Sequence, residues 1–377
     1  MHDLHLRRRL GTVALYVGFI LLALAISAFL IAITGGPWRS VLSALLDGSI
    51  RRPGRWGNTL TEAAPLLIVA LGAIISTRAG LVNIGQEGQL LVGAATAAFL
   101  ATRSSGPLPL VVCILLGAVG GAVWAGIAAL LKYWRKVPEV ISTLLLVFIA
   151  SQMTGYALTR QFLLLDTDPN KPNRVQTSGQ LDERTRLPTV RIFGNEFPVS
   201  VLIALALAVV VAVILSRSVW GFKLKMLGMN PKTAQRAGVS VVFVGALALA
   251  IGGALAGLAG SLMLTGGSAN HRYTPGFANN VGWEGLLVAL VARNRPLVAI
   301  PVAIVFGALR TGSGFLAATG VEREIVDVVR ALLVLALLMP AAITFVLDRR
   351  RALRSTEPVD TVAAPVILGS LQEQEVN

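Results

Sequence analysis

Four side chains that could hydrogen bond a polar solute lie close together in an otherwise apolar part of the chain: Asn83, Gln86, Glu87 and Gln89. The amides offer both donors and acceptors, which suits a neutral polyhydroxylated or base-bearing solute better than a bare ion. Three glycines in the same segment favour unwound backbone, which at membrane depth must be buried in protein or line a wet cavity. Because broken helices often mark the substrate path of transporters, we predict that these side chains line such a path. The alternative is a cytoplasmic turn between two helices, with Arg78 as its positive marker.

Several ionisable residues lie in or beside the apolar runs, where an ionised side chain costs about 2.5 to 3.5 kcal/mol unless it is partnered or faces the interior. They are Glu62, Glu139, Glu284, Arg310, Asp327 and Arg330. We assign Glu284 and Arg310 to the substrate path, since Arg310 has no acidic residue near it in the sequence and could contact the lumen or another subunit. Asp327 and Arg330 are three residues apart, so we predict that they neutralise one another on one helical face.

The sequence lacks the motifs of several common enzymatic chemistries. It has no G-x-x-x-x-G-K-[ST] phosphate loop, no H-E-x-x-H, no paired C-x-x-C and no G-x-S-x-G. The single cysteine, Cys113, excludes an intrachain disulfide, and the three histidines have no ligand spacing. We therefore predict a chain that is not an enzyme, with no catalytic residue, no metal site and no cofactor of its own.

A polar, basic segment at residues 217–240 separates two long apolar runs and carries the signals of a short helix. Asn230 is a good N-cap, Pro231 suits the first helical position, and Gly238 suits the C-cap. The helix predicted at residues 231–237 would be about 10 Å long.

This predicted helix has the form of a small docking surface. Ala234 and Ala237 lie on one face, where the surface of another protein could approach the backbone closely. Lys232, Gln235 and Arg236 could offer hydrogen bonds around that face. The residues predicted to couple to a partner are Asn230, Pro231, Ala234, Arg236, Ala237 and Gly238. The alternative is an ordinary cytoplasmic loop that carries topogenic charge.

The composition indicates which elements must position these residues. Of the 377 residues, 55% are hydrophobic and 14% are charged, and the mean hydropathy is +0.73, which is typical of a polytopic membrane protein. We predict an all-α protein with about ten transmembrane helices and a broken helix at the amide-rich segment. The predicted spans are 13–33, 60–77, 84–100, 109–131, 139–157, 199–215, 241–264, 281–292, 297–309 and 325–347. Two of them, 281–292 and 297–309, are shorter than the roughly 20 residues of a straight crossing, so they are tilted, enclosed or re-entrant.

Basic residues orient these spans. An alternating path that starts inside places most short basic loops on one side, which the positive-inside rule makes the cytoplasm. Both termini are then cytoplasmic, although Arg51, Arg52 and Arg55 fall outside and oppose the scheme. Most of the net charge of +14 belongs to such loops, so we predict no nucleic-acid partner.

The same scheme divides the chain into two parts. Residues 1–348 form the predicted transmembrane domain, with an outer loop at 160–198 and a cytoplasmic coupling loop at 217–240. Residues 349–377 are polar and form a predicted disordered cytoplasmic tail.

Several sequence segments carry a resemblance to a known family. They are Ser76–Gln89, Glu139–Thr143, Gly228–Gly238, Pro275–Phe277 with Gly282–Gly285, Asn294–Pro296 and Phe306–Gly312. With these segments in this order, the chain resembles the permease subunits of bacterial ABC importers, in the nucleoside and simple-sugar branch of the ribose-type superfamily. Each segment is weak alone, whereas the ordered set is fairly specific.

The resemblance implies a type II-like importer permease in the bacterial plasma (inner) membrane, in contact with membrane lipid. The segment Gly228–Gly238 resembles the coupling helix that sits in a groove of a separate cytoplasmic ATPase, which would bind the ATP and Mg. Two permease subunits, usually different chains in this branch, would line the path as a heterodimer. An external lipid-anchored substrate-binding protein would deliver the solute.

Other classes of function stay open at this stage. A branched-chain amino acid permease belongs to the same superfamily, but a zwitterionic solute would call for paired charges in the lumen. A secondary transporter would also have broken helices and would work alone with an ion gradient. A membrane scaffold would have the helices without substrate-dependent activity.

Overall fold

The computed structural model describes residues 2–33, 35, 41–104, 106, 109–166, 176–266, 270–317, 321 and 323–354. Thirteen α-helices are present in this part of the chain. They are α1 His2–Ile33, α2 Val41–Leu46, α3 Arg55–Arg78, α4 Gln86–Arg103, α5 Leu110–Arg135, α6 Glu139–Ala157, α7 Ser200–Arg217, α8 Val219–Met229, α9 Pro231–Arg236, α10 Val241–Thr265, α11 Val281–Val291, α12 Pro296–Ala317 and α13 Arg323–Arg354. A π-helical turn at Asp47–Arg51, a 3-10 turn at Glu183–Thr185 and strands β1 Thr189–Ile192 and β2 Asn195–Pro198 complete the described elements.

The helices agree with the predicted all-α membrane fold. Seven of the described helices are long and apolar enough to cross a membrane, and shorter apolar helices occur at Val17–Ile33 and Val281–Val291. The predicted short span at 281–292 is confirmed, because α11 has only 11 residues and is about 16 Å long.

The other predicted short span, 297–309, is wrong. Helix α12 has 22 residues and continues to Ala317, because the arginine that ends its apolar run is partnered inside the bundle. Helix α13 continues to Arg354, which is beyond the predicted start of the tail at residue 349. The rest of the predicted tail, 355–377, lies outside the described residues.

Helix α3 is the centre of the bundle, and α7, α10, α11 and α12 pack around it. Close packing beside it depends on glycine. Gly93 of α4 and Gly117 of α5 both face Gly257 of α10, with no room for a Cβ atom at any of the three. Small residues of this kind let membrane helices approach backbone to backbone.

The two ends of α3 contact different structures. At its beginning, Gly57 lies against the backbone of Glu196 in β2. At its end, the carbonyl of Arg78 lies against Gly228 in α8, the helix that leads directly into α9. Since 24 helical residues are about 36 Å long, the hairpin end and the α9 end of the bundle are on opposite sides.

The predicted outer loop contains an ordered hairpin. Strands β1 and β2 pair antiparallel from Thr189 opposite Pro198 to Ile192 opposite Asn195. The connecting residues Phe193 and Gly194 have φ angles of +50° and +76°, and two positive φ angles favour a tight two-residue hairpin turn.

The loop is also tied to the last residue of α10 and to the segment that follows it. The amide N–H of Ser178 donates to the carbonyl of Tyr273 at 2.9 Å, and that of Leu187 donates to the carbonyl of Thr265 at 2.9 Å. These bonds hold the described part of the loop against the end of the bundle where the hairpin lies.

Candidate functional site

The amide-rich segment is an unwound stretch enclosed by protein. Helix α3 ends at Arg78, and the chain turns at Gly80, whose φ is +74°. Residues 81–84 are irregular, and α4 begins at Gln86. The side chain of Gln86 lies beside Val69 and Ala73 of α3, so the segment returns along the last turns of that helix. The unwound, buried backbone agrees with the prediction, but the chain reverses here, so this broken segment is a turn between two helices and not a break within one helix.

Within this segment, Asn83 and Gln89 bind each other. The Asn83 amide nitrogen donates to Gln89 Oε1, and the Gln89 amide nitrogen donates to Asn83 Oδ1, both at 3.0 Å. Asn83 Oδ1 also accepts from the N–H of Gly85 at 3.1 Å. Both side chains are only 1% exposed. We interpret them as groups that hold the broken segment in place, rather than as the direct solute contacts that the sequence suggested.

Gln86 has a similar position in the interior. We assign the orientation of its amide from the surrounding donors and acceptors. In that orientation the amide nitrogen donates to the carbonyl of Val69 at 3.0 Å, and the amide oxygen accepts from the N–H of Ala73 at 2.7 Å. The side chain is 1% exposed. It therefore fastens the start of α4 to the backbone of α3.

The amide pair gives a double-mutant test. We expect Asn83→Ala and Gln89→Ala each to destabilise the permease by about 1 to 3 kcal/mol, because each leaves a buried amide without its partner. The double variant should lose less than the sum of the two, with a coupling of at least about 0.5 kcal/mol. Thermal unfolding in detergent measures the stability of the two single variants and the double variant. Asn58→Ala, which changes an exposed side chain, is the control. Additive effects would show that the pair does not act as a unit.

Glu87 stabilises the beginning of α11. Its carboxylate accepts hydrogen bonds from the N–H of Asn280 at 3.0 Å and from the N–H of Gly282 at 2.6 Å. An acidic group is favourable at a helix N-terminus, where the first N–H groups lack helical partners. A Cβ atom on Gly282 would collide with the Glu87 backbone, so glycine is required for this approach. Glu87, predicted to line the path, thus joins α4 to the short helix α11.

A network of four charged side chains lies beside the contact between Glu87 and α11, on the side toward the hairpin. The Arg310 guanidinium donates to Glu62 at 2.8 Å and to Glu284 at 3.0 Å, and it also donates to the carbonyl of Asn279 at 3.1 Å. Arg330 donates to the other oxygen of Glu284. Two arginines and two glutamates are formally neutral together, which lowers the cost of burying Arg310 and Glu284.

Two predictions about this region were incomplete or wrong. Arg310 has acidic partners, but they come from α3 and α11 and not from its own helix. The predicted pair of Asp327 with Arg330 is wrong, because Arg330 binds Glu284 while Asp327 is exposed on α13. A buried carboxylate requires a partner more strongly than one in contact with solvent.

The network borders a cavity of about 580 Å³ at the hairpin end. Its walls come from the beginning of α3, the second half of α12, the beginning of α13 and the hairpin. Polar lining residues include Arg55, Asn58, Thr61, Glu62, Arg310, Thr311 and Arg330. Volumes of this size are typical of sites for small molecules.

Sequence reasoning missed most of this cavity, although one signal was present. Asn58, Thr61 and Glu62 follow each other at helical spacing and so share one face of α3. A polar stripe on an otherwise apolar helix indicates a wet or partnered surface. The hairpin residues on the opposite wall gave no comparable signal.

The predicted docking helix is present at the other end of the bundle. Asn230 caps α9 by accepting from the N–H groups of Lys232 at 3.0 Å and Thr233 at 3.2 Å. Pro231 is the first helical residue, the helix ends at Arg236, and Gly238 follows with a φ of +79°.

One docking residue is placed differently from the prediction. Ala234 is fully buried in this chain, so no partner can touch it. Ala237 and Arg236 are exposed and remain available for contact. Ala234 therefore holds α9 on the bundle, and Ala237 lies on the free surface.

Among the described residues, no group of three or more His, Cys, Asp or Glu side chains could hold a metal ion. What the site offers is an open, partly polar cavity, a broken segment between two helices and a capped helix at the opposite end. In an all-α bundle of apolar helices, these features define a membrane transport protein. Residues 56–338 match the model of the family described as the permease component of the branched-chain amino acid transport system, and the chain belongs to this family.

Named relatives cover most of the chain. It is 31% identical over 335 residues to the guanosine ABC transporter permease protein NupP of Bacillus subtilis, covering 88% of this chain and 94% of that protein. It is 28% identical over 353 residues to the nucleoside ABC transporter permease protein NupB of Lactococcus lactis, covering 92% and 94%. It is 32% identical over 292 residues to the glucose ABC transporter permease protein TsgB13 of Haloferax volcanii, covering 74% of each chain. No solved structure matches the chain.

Proposed function

We propose that this chain is the membrane-spanning permease subunit of an ATP-driven importer for nucleosides or related simple sugars. The observation that carries the proposal is the connection between a polar cavity at one end of the bundle and a capped, exposed helix at the other. Three relatives named as guanosine, nucleoside and glucose ABC transporter permeases support the solute class.

The chemistry of the cavity favours a neutral polar solute. Arg310 and Glu284 already bind each other, and Glu62 and Arg330 complete the same network. Paired charges are what a zwitterionic solute would call for, but these charges already bind one another, so an amino acid would have to compete with them. Amide and hydroxyl groups of Asn58, Thr61 and Thr311 also line the cavity, and such groups suit ribose hydroxyls and base edges. A branched-chain amino acid remains the alternative solute.

The α9 end is proposed to face the cytoplasm. Exposed Lys232 and Arg236 belong to this end, as the positive-inside rule requires. Helix α9 would dock in a groove of a separate ATPase, which holds the ATP and Mg and hydrolyses the nucleotide. Both termini of the permease would then be cytoplasmic.

A continuous series of contacts could transmit movement from α9 to the cavity. Gly228, just before α9, packs on Arg78 and Gly80 at the start of the broken segment. At the other end of that segment, Glu87 binds the start of α11, and the carbonyl of Asn279 beside it accepts from Arg310. Rigid displacement of α8 and α9 would thus shift the broken segment and the cavity wall together.

The close contact between Gly228 and the Arg78 carbonyl can be tested by substitution of the glycine. Gly228→Ala should lower the thermal unfolding midpoint and the uptake rate, because the new methyl group collides with the Arg78 carbonyl. The matched control is Gly126→Ala in α5, where a Cβ atom meets nothing within 4 Å. The control should be neutral or stabilised by up to about 1 kcal/mol, the difference in helix propensity. Equal behaviour of the two variants would remove Gly228 from the series.

The remaining partners follow from the same proposal. A second, different permease subunit would complete the path, and Bacillus subtilis has two guanosine permease proteins, NupP and NupQ, that both match this chain. An external lipid-anchored binding protein would deliver the solute at the hairpin end, on the outside of a bacterial plasma membrane.

Copurification tests the assembly. The chain is purified from native membranes in mild detergent, and the proteins that copurify with it are identified by mass spectrometry. We expect a nucleotide-binding ATPase and a second permease. Isolation of the chain alone, with gradient-driven uptake after reconstitution, would favour a secondary transporter and overturn the proposal.

A further inference from the structure

The tip of the β1–β2 hairpin presents an aromatic side chain entirely to solvent. Phe193 is 99% exposed, and its neighbour Ile192 is 45% exposed. The turn holds Phe193 at a positive φ, and the hairpin register is fixed by the pairing of its strands. The ring is therefore displayed on a defined, ordered element.

The hairpin is also a wall of the cavity. Glu196, Phe197 and Pro198 of β2 line it, together with Thr189 of β1. The base of the hairpin is seated on α3, where Gly57 packs on Glu196 and its N–H donates to Asn195 Oδ1 at 3.4 Å. A partner that binds the hairpin would therefore sit beside the mouth of the cavity.

We propose that this hairpin docks the external solute-binding protein, with Phe193 inserted as an anchor into an apolar pocket of that partner. The inference rests on the proposed importer function and names the contact that places the delivered solute beside the cavity. Aromatic anchors surrounded by polar residues are typical of the energetic centres of protein interfaces.

The surroundings of the ring favour a protein over lipid. Arg191 and Glu196 stand opposite each other on the two strands and form an ion pair at 3.6 Å, with side chains 73% and 63% exposed. Insertion of the hairpin into a bilayer would remove the water that hydrates these two charges, and the lipid tails offer no hydrogen bonds in its place. A hydrated protein interface can keep such a pair at its rim.

The test uses the complete importer in proteoliposomes, with the binding protein that supports wild-type uptake added from outside. The ATPase rate is measured against its concentration. Phe193→Asn removes the ring but suits the positive φ and gives the turn an Asn-Gly sequence, so the hairpin should keep its fold. We expect the half-saturating concentration to rise about tenfold while the maximal rate is unchanged.

Two further variants sharpen the result. Phe193→Trp should restore near-normal half-saturation, and Phe162→Asn, which removes another ring that is 67% exposed, should have no effect. Unchanged half-saturation in Phe193→Asn, with a responsive wild type, overturns the docking proposal alone. So does a variant whose main defect is poor incorporation into vesicles, since that result indicates a lipid anchor. A wild-type complex that no binding protein stimulates overturns the importer function itself.

Discussion

Arg310→Met is expected to destabilise the permease by roughly 3 kcal/mol and to reduce uptake to a small fraction of the wild-type rate. The side chain of Arg310 is only 6% exposed and binds both Glu62 and Glu284. Its removal leaves two carboxylates with Arg330 as the remaining cation of the network, and an uncompensated charge inside a membrane protein is costly. Thermal unfolding in detergent and uptake into proteoliposomes measure the two effects.

A second variant separates stability from transport. Combining Arg310→Met with Glu62→Gln makes the network neutral again, so much of the lost stability should return. Uptake should stay low, because the wall of the cavity is still altered. The matched control is Asp327→Asn, which changes an exposed charge outside the network. Wild-type stability of Arg310→Met alone would contradict the role given to these pairs.

Ala237→Trp is expected to abolish ATP-driven uptake while the permease is still inserted and folded. Ala237 is exposed immediately after α9, where a small side chain allows a partner to approach the backbone closely. An indole at this position would hold the ATPase away from the helix. Copurification of the ATPase and uptake at matched expression measure the loss.

Two variants that introduce the same indole serve as controls. Val219→Trp changes a residue of α8 that is 72% exposed and should leave uptake intact. Ala234→Trp places the indole in the interior of this chain, so it should reduce the amount of folded permease rather than only the coupling. Normal uptake by Ala237→Trp would contradict the docking surface.

Local sequence signals were enough to predict α9 to within one residue. Asn230, Pro231 and Gly238 each act on the backbone next to them, through an N-cap, a fixed φ and a left-handed conformation. The burial of Ala234 could not be predicted in this way, because it depends on how α9 packs on the rest of the bundle.

The polar contacts inside the bundle show the same limit. The bond from Arg310 to Glu62 joins residues 248 positions apart, and the bond from Arg330 to Glu284 joins residues 46 positions apart. No local pattern contains such pairings. Asn83 and Gln89 are only 6 positions apart, yet their mutual orientation depends on a backbone path set by neighbouring helices. Sequence therefore identified polar residues of the interior but not which of them bind each other.

We expect this chain to transport a nucleoside or simple sugar by coupling to an ATPase. Uptake of radiolabelled nucleosides and glucose into proteoliposomes that contain the complete complex is the most direct test. We predict uptake that requires ATP on the ATPase side, persists without an ion gradient and is lost in Ala237→Trp. Uptake by this chain alone, driven by an ion gradient and indifferent to ATP, would contradict the account.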